Sequence, residues 1–282
     1  MTTWPIGVFA SVDAGLGVSW DVIGEIGLPT IQLHAPHRGH RDAETAQRLS
    51  AQLSELDVRC TAVFGGFEGE SYANIPEVVR TVGLVPPASR SDRLLEMKEI
   101  SDFSKFLDVD TVALHLGFVP HELDDPDYTG IVAVTQELCD HCRSNGQFLH
   151  LETGQETASG LLQFIDQVDR ANLKINFDPA NMILYGTGEP LEALRALAPH
   201  VRSVHCKDAN WSDQPGDTWG AEVQLGKGAV NIRDYLQTLH DIGYTGPLTI
   251  EREIPEDPAR QLSEIGTAVE LLTRLRTEII SA

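Results

Sequence analysis

Along the chain, short apolar or β-branched runs alternate with longer segments whose apolar residues recur every three or four positions. This is the pattern of repeated βα units around a parallel sheet. Strands are predicted near residues 5–11 (PIGVFAS), 30–35 (TIQLHA), 58–65 (VRCTAVFG), 111–117 (TVALHLG), 147–152 (QFLHLE), 173–178 (LKINFD), 201–208 (VRSVHCKD) and 247–253 (PLTIERE). Between them, stretches such as AETAQRLSAQLSEL, DRLLEMKEISDFSKFL, SGLLQFIDQVDR and VNIRDYLQTLHDIG have the amphipathic spacing of helices that cover a barrel. Turn residues precede several strands, for example Gly27 with Pro29, Asn145 with Gly146, and Gly243 with Gly246 and Pro247. Eight such units within 282 residues predict a single (β/α)8 TIM-barrel domain spanning 1–282, with no visible linker to a second. The connections at 66–90 and 209–230 are longer than a barrel needs, and the second carries Trp211, Trp219, Gly226 and Gly228. Both follow strand C-terminal ends, the face where barrel active sites lie, and are expected to wall or cover a substrate.

Charge narrows the range of partners. Lys plus Arg total 21 against 42 Asp plus Glu, a formal net charge of −21, so the long-range field repels nucleic-acid backbones and anionic membranes. A small neutral sugar is the easier substrate, although one local cation or helix N-terminus can still hold a phosphate. No run approaches the roughly 18 apolar residues of a membrane span. The start MTTWPIGVFA has no charged segment followed by a long apolar one, and four cysteines are too few for a disulfide framework, so a cytoplasmic location is expected. Cys139 and Cys142 form a lone C-x2-C in a helical pattern and read as packed thiols. The sequence leaves homo-oligomer formation open.

The chemistry-bearing pattern is at the strand ends. Strands buried on both sides should end in packing residues, yet Glu152 closes QFLHLE, Asp178 closes LKINFD, His205 sits late in VRSVHC and Glu251 late in PLTIE. These are the last four strands, whose C-terminal ends converge on one mouth of the barrel. Three carboxylates gathered there would repel unless protonated or paired with a cation, and His205 adds a nitrogen donor. One bound divalent metal is the economical explanation. The mixed oxygen and nitrogen set suits Mn2+, the first choice, and also Mg2+, Co2+ or Zn2+.

The segments LETGQE, NFDPAN, VHCKDAN and GYTGPLTIERE, with LGKG ahead of a late helix, resemble the xylose-isomerase-like superfamily of sugar isomerases and epimerases over essentially the whole chain. Among its branches the D-tagatose and D-psicose 3-epimerases are similar in length and ligand order. In that branch the first and last glutamates are metal ligands and also the acid/base pair, which implies those roles for Glu152 and Glu251. The chemistry is consistent: moving a proton next to a carbonyl needs a base on one face, an acid for its return and a positive centre for the enediolate oxygen. The chain departs from the epimerase branch at two sugar contacts. A histidine and an arginine of the branch are replaced by Asn181 and Trp211, which can bond a hydroxyl or stack on a sugar face instead. The H-x-K-D run of His205, Lys207 and Asp208 looks like branches acting on keto-inositols and other oxidised sugars.

Further candidates for substrate binding are His115 and His34, near the ends of the fourth and second strands, and Glu156, four residues past Glu152. The H-x2-H-x2-H spacing of His34, His37 and His40 reads as solvated loop residues. The expected activity is therefore a metal-dependent isomerase or epimerase of a ketose or keto-sugar. The alternatives are a lyase or hydrolase of 3-keto-glycosides, and a non-catalytic barrel that binds a sugar or a protein. The superfamily also holds endonucleases that cut at abasic sites with three zinc ions, but Asn181 stands where a further histidine would be needed and the charge opposes DNA. No phosphate-binding glycine loop and no G-x-S-x-G elbow is present.

Overall fold

The computed structural model describes residues 4–13, 17–254 and 257–281. Eight parallel strands close a barrel: β1 (Ile6–Ser11), β2 (Thr30–His34), β3 (Arg59–Gly65), β4 (Thr111–Leu114), β5 (Phe148–Glu152), β6 (Leu173–Phe177), β7 (Val201–Cys206) and, last in the chain, β10 (Leu248–Ile250), which pairs with both β7 and β1. The predicted (β/α)8 architecture is the observed one. Two predicted strands end three residues early: the fourth stops at Leu114 and the last at Ile250, so His115 and Glu251 lie just beyond the ladder. The seventh breaks at Lys207, and its predicted tail becomes β8 (Asp208–Asn210), paired antiparallel with β9 (Ala221–Val223). The long 209–230 connection is thus a hairpin folded over the barrel mouth.

The covering helices are α1 (Trp20–Ile26), α2 (Ala43–Glu55), α3 (Ile75–Thr81), α4 (Arg90–Phe106), α5 (Pro126–Ser144), α6 (Ala158–Val168), α7 (Pro179–Tyr185), α8 (Pro190–Leu197), α9 (Ile232–Asp241) and α10 (Pro258–Ile280). Three of them start with the same device, an aspartate followed by proline. Asp125, Asp178 and Asp257 each accept a backbone N–H of the first turn while the proline supplies a helical φ and needs no partner for its nitrogen. Cys139 and Cys142 are buried in α5 as free thiols. Burial pushes the Cys142 thiol up to about 12 and raises that of Cys139 as well, so both stay protonated and are poor metal ligands.

Alternation along the strands builds two cores. On β5, Leu149 and Leu151 face the helices, and on β6 Ile175 and Phe177 do the same. The opposite faces line the barrel axis, where Phe9, Ala62, Phe64 and Ala113 form a small apolar plug. That plug separates a polar C-terminal end, bearing Glu152 and His205, from a polar N-terminal end, bearing His150.

Candidate metal centre and substrate pocket

The four strand-end residues come together. One ligand atom from each of Glu152, Asp178, His205 and Glu251 lies within 4.8 Å of all the others. Their focus is His205 Nδ1, which is 2.8 Å from Glu152 Oε1, 2.9 Å from Glu251 Oε2 and 3.3 Å from Asp178 Oδ2. Strand order explains the arrangement. In the barrel β5, β6, β7 and β10 are consecutive neighbours, so Glu152 and Glu251 stand at the two ends of the row with Asp178 and His205 between.

The surroundings decide the state of each group. On the far side of the imidazole, His205 Nε2 donates to Gln32 Oε1 at 2.6 Å, and the Gln32 amide nitrogen donates to Asn176 Oδ1 at 3.2 Å. This fixes the hydrogen on Nε2 and turns the Nδ1 lone pair toward three carboxylate oxygens. A nitrogen lone pair and three carboxylate oxygens that converge on one small volume suit a cation, and the set fits a small divalent metal. Without a metal, burial opposes charging of His205, but Glu251 and Glu152 overcome it and hold its pKa well above the usual imidazole range. Burial raises the Asp178 carboxyl to about 6 against the pull of its bond to His205. At Glu251 burial also acts upward, and Lys207 and His205 more than offset it, leaving the carboxyl well below its ordinary range.

Asp178 is held from behind: its Oδ1 accepts from the backbone nitrogens of Ala180 and Asn181 at the start of α7, leaving Oδ2 for the cluster. Glu152 is held by Asn181 Nδ2, which donates to Oε1 at 3.2 Å, and by His115 Nε2, 3.1 Å from Oε2. Lys207 is buried between Glu251 and Glu253, with Nζ 3.3 and 3.1 Å from their oxygens.

Beside the cluster is a pocket of about 220 Å3 lined by His115, Asn181 and Lys207 together with Tyr72, Tyr185 and Trp219. Tyr72 comes from the 66–90 connection and Trp219 from the turn between β8 and β9, so both long connections contribute a wall. Gln155 ties this wall together, its amide nitrogen 3.2 Å from His115 Nδ1 and 3.1 Å from the Tyr185 hydroxyl. The rings of Tyr185 and Trp219 lie 4.5 Å apart. A larger concavity opens at the other end of the barrel, but it contains none of the four cluster residues.

Of the predicted substrate contacts, His115, Asn181 and Lys207 reach this pocket, whereas four others are placed elsewhere. Asp208 is consumed structurally: its two carboxylate oxygens accept from the backbone nitrogens of Ala209, Gly226, Gly228 and Val230. The LGKG turn is shaped for this, since a Cβ at Gly228 would stand 2.2 Å from Asp208 Oδ1. Glu156 accepts from Val119 N at 2.7 Å and so clamps the connection after β4. Trp211 packs on the hydrophobic core, and Trp219 is the hairpin tryptophan at the pocket. His34 is turned toward its own connection, with Nδ1 3.0 Å from the carbonyl of Ala35. His40 pairs with Asp13, so the three spaced histidines make no cluster.

Sequence reading missed Gln32, Tyr72 and Tyr185, and it singled out Trp219 only as part of a long connection expected to wall a substrate. Gln32 carried a usable signal, a polar residue at the interior phase of an otherwise apolar strand. Tyr72 and Tyr185 carried none, because the place of the first depends on how a long connection folds and that of the second on how the short helix α7 packs.

The geometry has counterparts in known proteins. The crystal structure of a xylose isomerase domain protein from Planctomyces limnophilus is 55% identical, covers 100% of both chains and superposes with a TM-score of 0.97. A D-tagatose 3-epimerase-like protein is 18% identical over 97% of this chain and 98% of its own, with a TM-score of 0.72. A xylose isomerase-like TIM barrel protein from Mycobacterium smegmatis, solved in complex with magnesium, is 19% identical over 98% and 99% of the two chains, with a TM-score of 0.67. At those lower identities the likeness is one of fold. The family description that fits residues 20–273 agrees with the closed barrel and its buried acidic cluster: this chain belongs to the xylose isomerase-like TIM barrel family.

Proposed function

We propose that the protein is a divalent-metal-dependent isomerase or epimerase that moves a proton on a ketose or keto-sugar through an enediolate. The supporting observation is the pairing of two carboxylates, Glu152 and Glu251, at opposite ends of one ligand row beside an aromatic, polar pocket. Glu152, Asp178, His205 and Glu251 would hold the cation, which supplies positive charge for the carbonyl and enediolate oxygens.

The chain's own residues handle the proton. Lys207 beside Glu251 keeps that carboxylate ionised and ready to accept a proton from a carbon next to the carbonyl. Glu152, its oxygens oriented by Asn181 and His115, starts the turnover protonated and gives its proton from the other side of the row, so the two glutamates end with exchanged protonation states. Tyr185 and Trp219 offer aromatic faces to the sugar, and the Tyr72 side shields the reacting carbon from water.

The pocket departs from one built for a free ketohexose. Asn181 is engaged with Glu152, Trp211 is outside the pocket, and Lys207 occupies the interior. This favours an oxidised sugar such as a keto-inositol or a 3-keto-glucoside. The deciding experiment is metal analysis of the purified protein followed by a D2O-exchange screen over ketoses, keto-inositols and 3-keto-glucosides. One carbon-bound deuterium gained without change of skeleton supports the proposal. Release of an aglycone or water would show a lyase or hydrolase, and absence of exchange on every class would defeat the reading.

A further inference from the structure

The hairpin of β8 and β9 leaves the barrel from the strand that carries His205 and reaches the chain beyond both neighbouring ligand strands. On one side it seats on α7, the helix that opens at Asp178: Gly220 N donates to Leu184 O at 3.0 Å, and the rings of Trp219 and Tyr185 are 4.5 Å apart. This approach needs a glycine, since a Cβ at Gly220 would stand 2.6 Å from Asn210 O and 3.1 Å from Leu184 Cα. On the other side the hairpin holds the segment that follows β10, through Glu222. One oxygen of that carboxylate, Oε1, accepts from Arg252 Nη1 at 2.7 Å and from the Glu253 backbone nitrogen at 3.1 Å.

These bonds secure a stretch of chain that the barrel ladder no longer secures. Glu251 is the first residue past β10, and its backbone nitrogen meets Cys206 O at a long 3.3 Å. Arg252, next to it, is fixed from two directions, by Glu222 on the hairpin and by Glu264 on α10, whose Oε2 accepts from Arg252 Nε at 2.8 Å. The side chains of Arg252 and Glu222 are both 13% exposed and that of Glu264 is 9% exposed. Charge-assisted bonds shielded in this way fix geometry, and taking away one partner leaves a charge without its counter-ion. Glu222 thus grips the side chain one residue beyond a candidate metal ligand and the main chain two residues beyond it. The same hairpin carries Trp219 into the substrate pocket.

We infer that Glu222 is a positioning residue for Glu251, and that through it the hairpin is a clasp: the fourth ligand is seated when the wall bearing Trp219 is closed. The inference rests on the metal reading of the cluster and adds to it a coupling between pocket closure and metal affinity. Linkage makes that coupling reciprocal, so bound metal holds the hairpin shut by the same factor by which closure tightens the metal.

Calorimetric titration of Mn2+ into the metal-free full chain reads one side of the coupling, and hydrogen exchange of the peptide amides of residues 219–223 reads the other. Glu222→Ala should bind Mn2+ about tenfold more weakly, the size typical of outer-shell changes. In the parent, saturating Mn2+ should slow exchange in the hairpin by about the same tenfold, and in Glu222→Ala by less than about twofold. Glu222→Gln keeps the shape and an acceptor for the Glu253 amide but loses the charge facing Arg252, so it should weaken Mn2+ binding by roughly threefold, and it decides the matter if the alanine variant does not fold. Mn2+ affinity equal to the parent's in these variants overturns the inference, and so does hairpin exchange in the parent that is indifferent to Mn2+. A parent that binds Mn2+ tightly while failing either test leaves the proposed function standing and removes the clasp alone. A parent that binds no divalent metal removes both.

Discussion

Gln32 is the residue whose replacement tests the metal centre most directly. It touches no proposed substrate atom and is not a ligand, yet its Oε1 is 2.6 Å from His205 Nε2 and its amide nitrogen 3.2 Å from Asn176 Oδ1. Gln32→Leu keeps the approximate volume and removes both bonds. The imidazole then has no acceptor to hold its hydrogen on Nε2, so the Nδ1 lone pair is no longer fixed toward Glu152, Asp178 and Glu251. Outer-shell changes of this kind typically cost about 10–100-fold in metal affinity. Two buried polar groups also lose partners, at about 1–3 kcal/mol each before relaxation, so some loss of stability accompanies the affinity loss. Competition against a chelator of known affinity measures the first effect, and melting of the metal-free chain the second. A variant that binds metal as tightly as the parent, with an unchanged metal-free melting temperature, would refute the claim that Gln32 sets the ligand geometry.

Other outcomes follow from the same structure. Glu251→Gln should lower turnover and D2O exchange by about 10²–10⁴-fold while circular dichroism stays native, because it removes a proton acceptor; unaltered turnover would remove Glu251 from the proton path. Asp208→Ala should destabilise the fold by about 3 kcal/mol, a fall in melting temperature of about 6–12 °C, by orphaning four backbone N–H groups, with metal affinity preserved. Trp219→Ala should raise KM by roughly tenfold with a smaller effect on kcat, as expected for a wall that binds substrate and transition state alike; steady-state kinetics on the substrate found by exchange checks this. For pH dependence, burial raises the half-buried Glu156 carboxyl to about 8 against an ordinary 4.5, so the folded state favours the protonated form. Its contribution to stability is complete below about pH 4.5 and is lost as pH rises through about 8. Thermal melts from pH 5 to 9 should therefore show Glu156→Gln gaining stability on the parent as pH increases, and parallel curves would contradict the assignment.

The eight strands and the ligand quartet were legible because each is written in local pattern: apolar runs for the ladder, and a charged or imidazole residue where packing would demand an apolar one. Ends were less legible. Lys207 continues the extended phase of VRSVHC, but its neighbours have no ladder partner there, so the chain leaves the sheet and starts a hairpin that pattern alone reads as a loop. The seven-residue helices α1, α3 and α7 are too short for a clear period, although Asp178-Pro179 was a readable start signal for the last. Between Trp211 and Trp219 the sequence offered no means of choosing, since the answer depends on which arm of the hairpin faces the pocket. Asp208 was misassigned for a related reason. A carboxylate two residues past a strand end suits a ligand contact, and its use as a hub for amides 18 to 22 residues away is a long-range fact.

The way Asp178 is seated bears on which ions the centre accepts. With one oxygen committed to two amides of the following helix, that side chain offers a metal a single, rigidly aimed atom and cannot swing to grip with both. Large, loosely coordinated ions such as Ca2+ rely on such double grips and on six to eight oxygens, whereas Mg2+ and Mn2+ are content with fewer. The peptide backbone at the start of a seven-residue helix would thus act as a size filter on any ion held by this cluster.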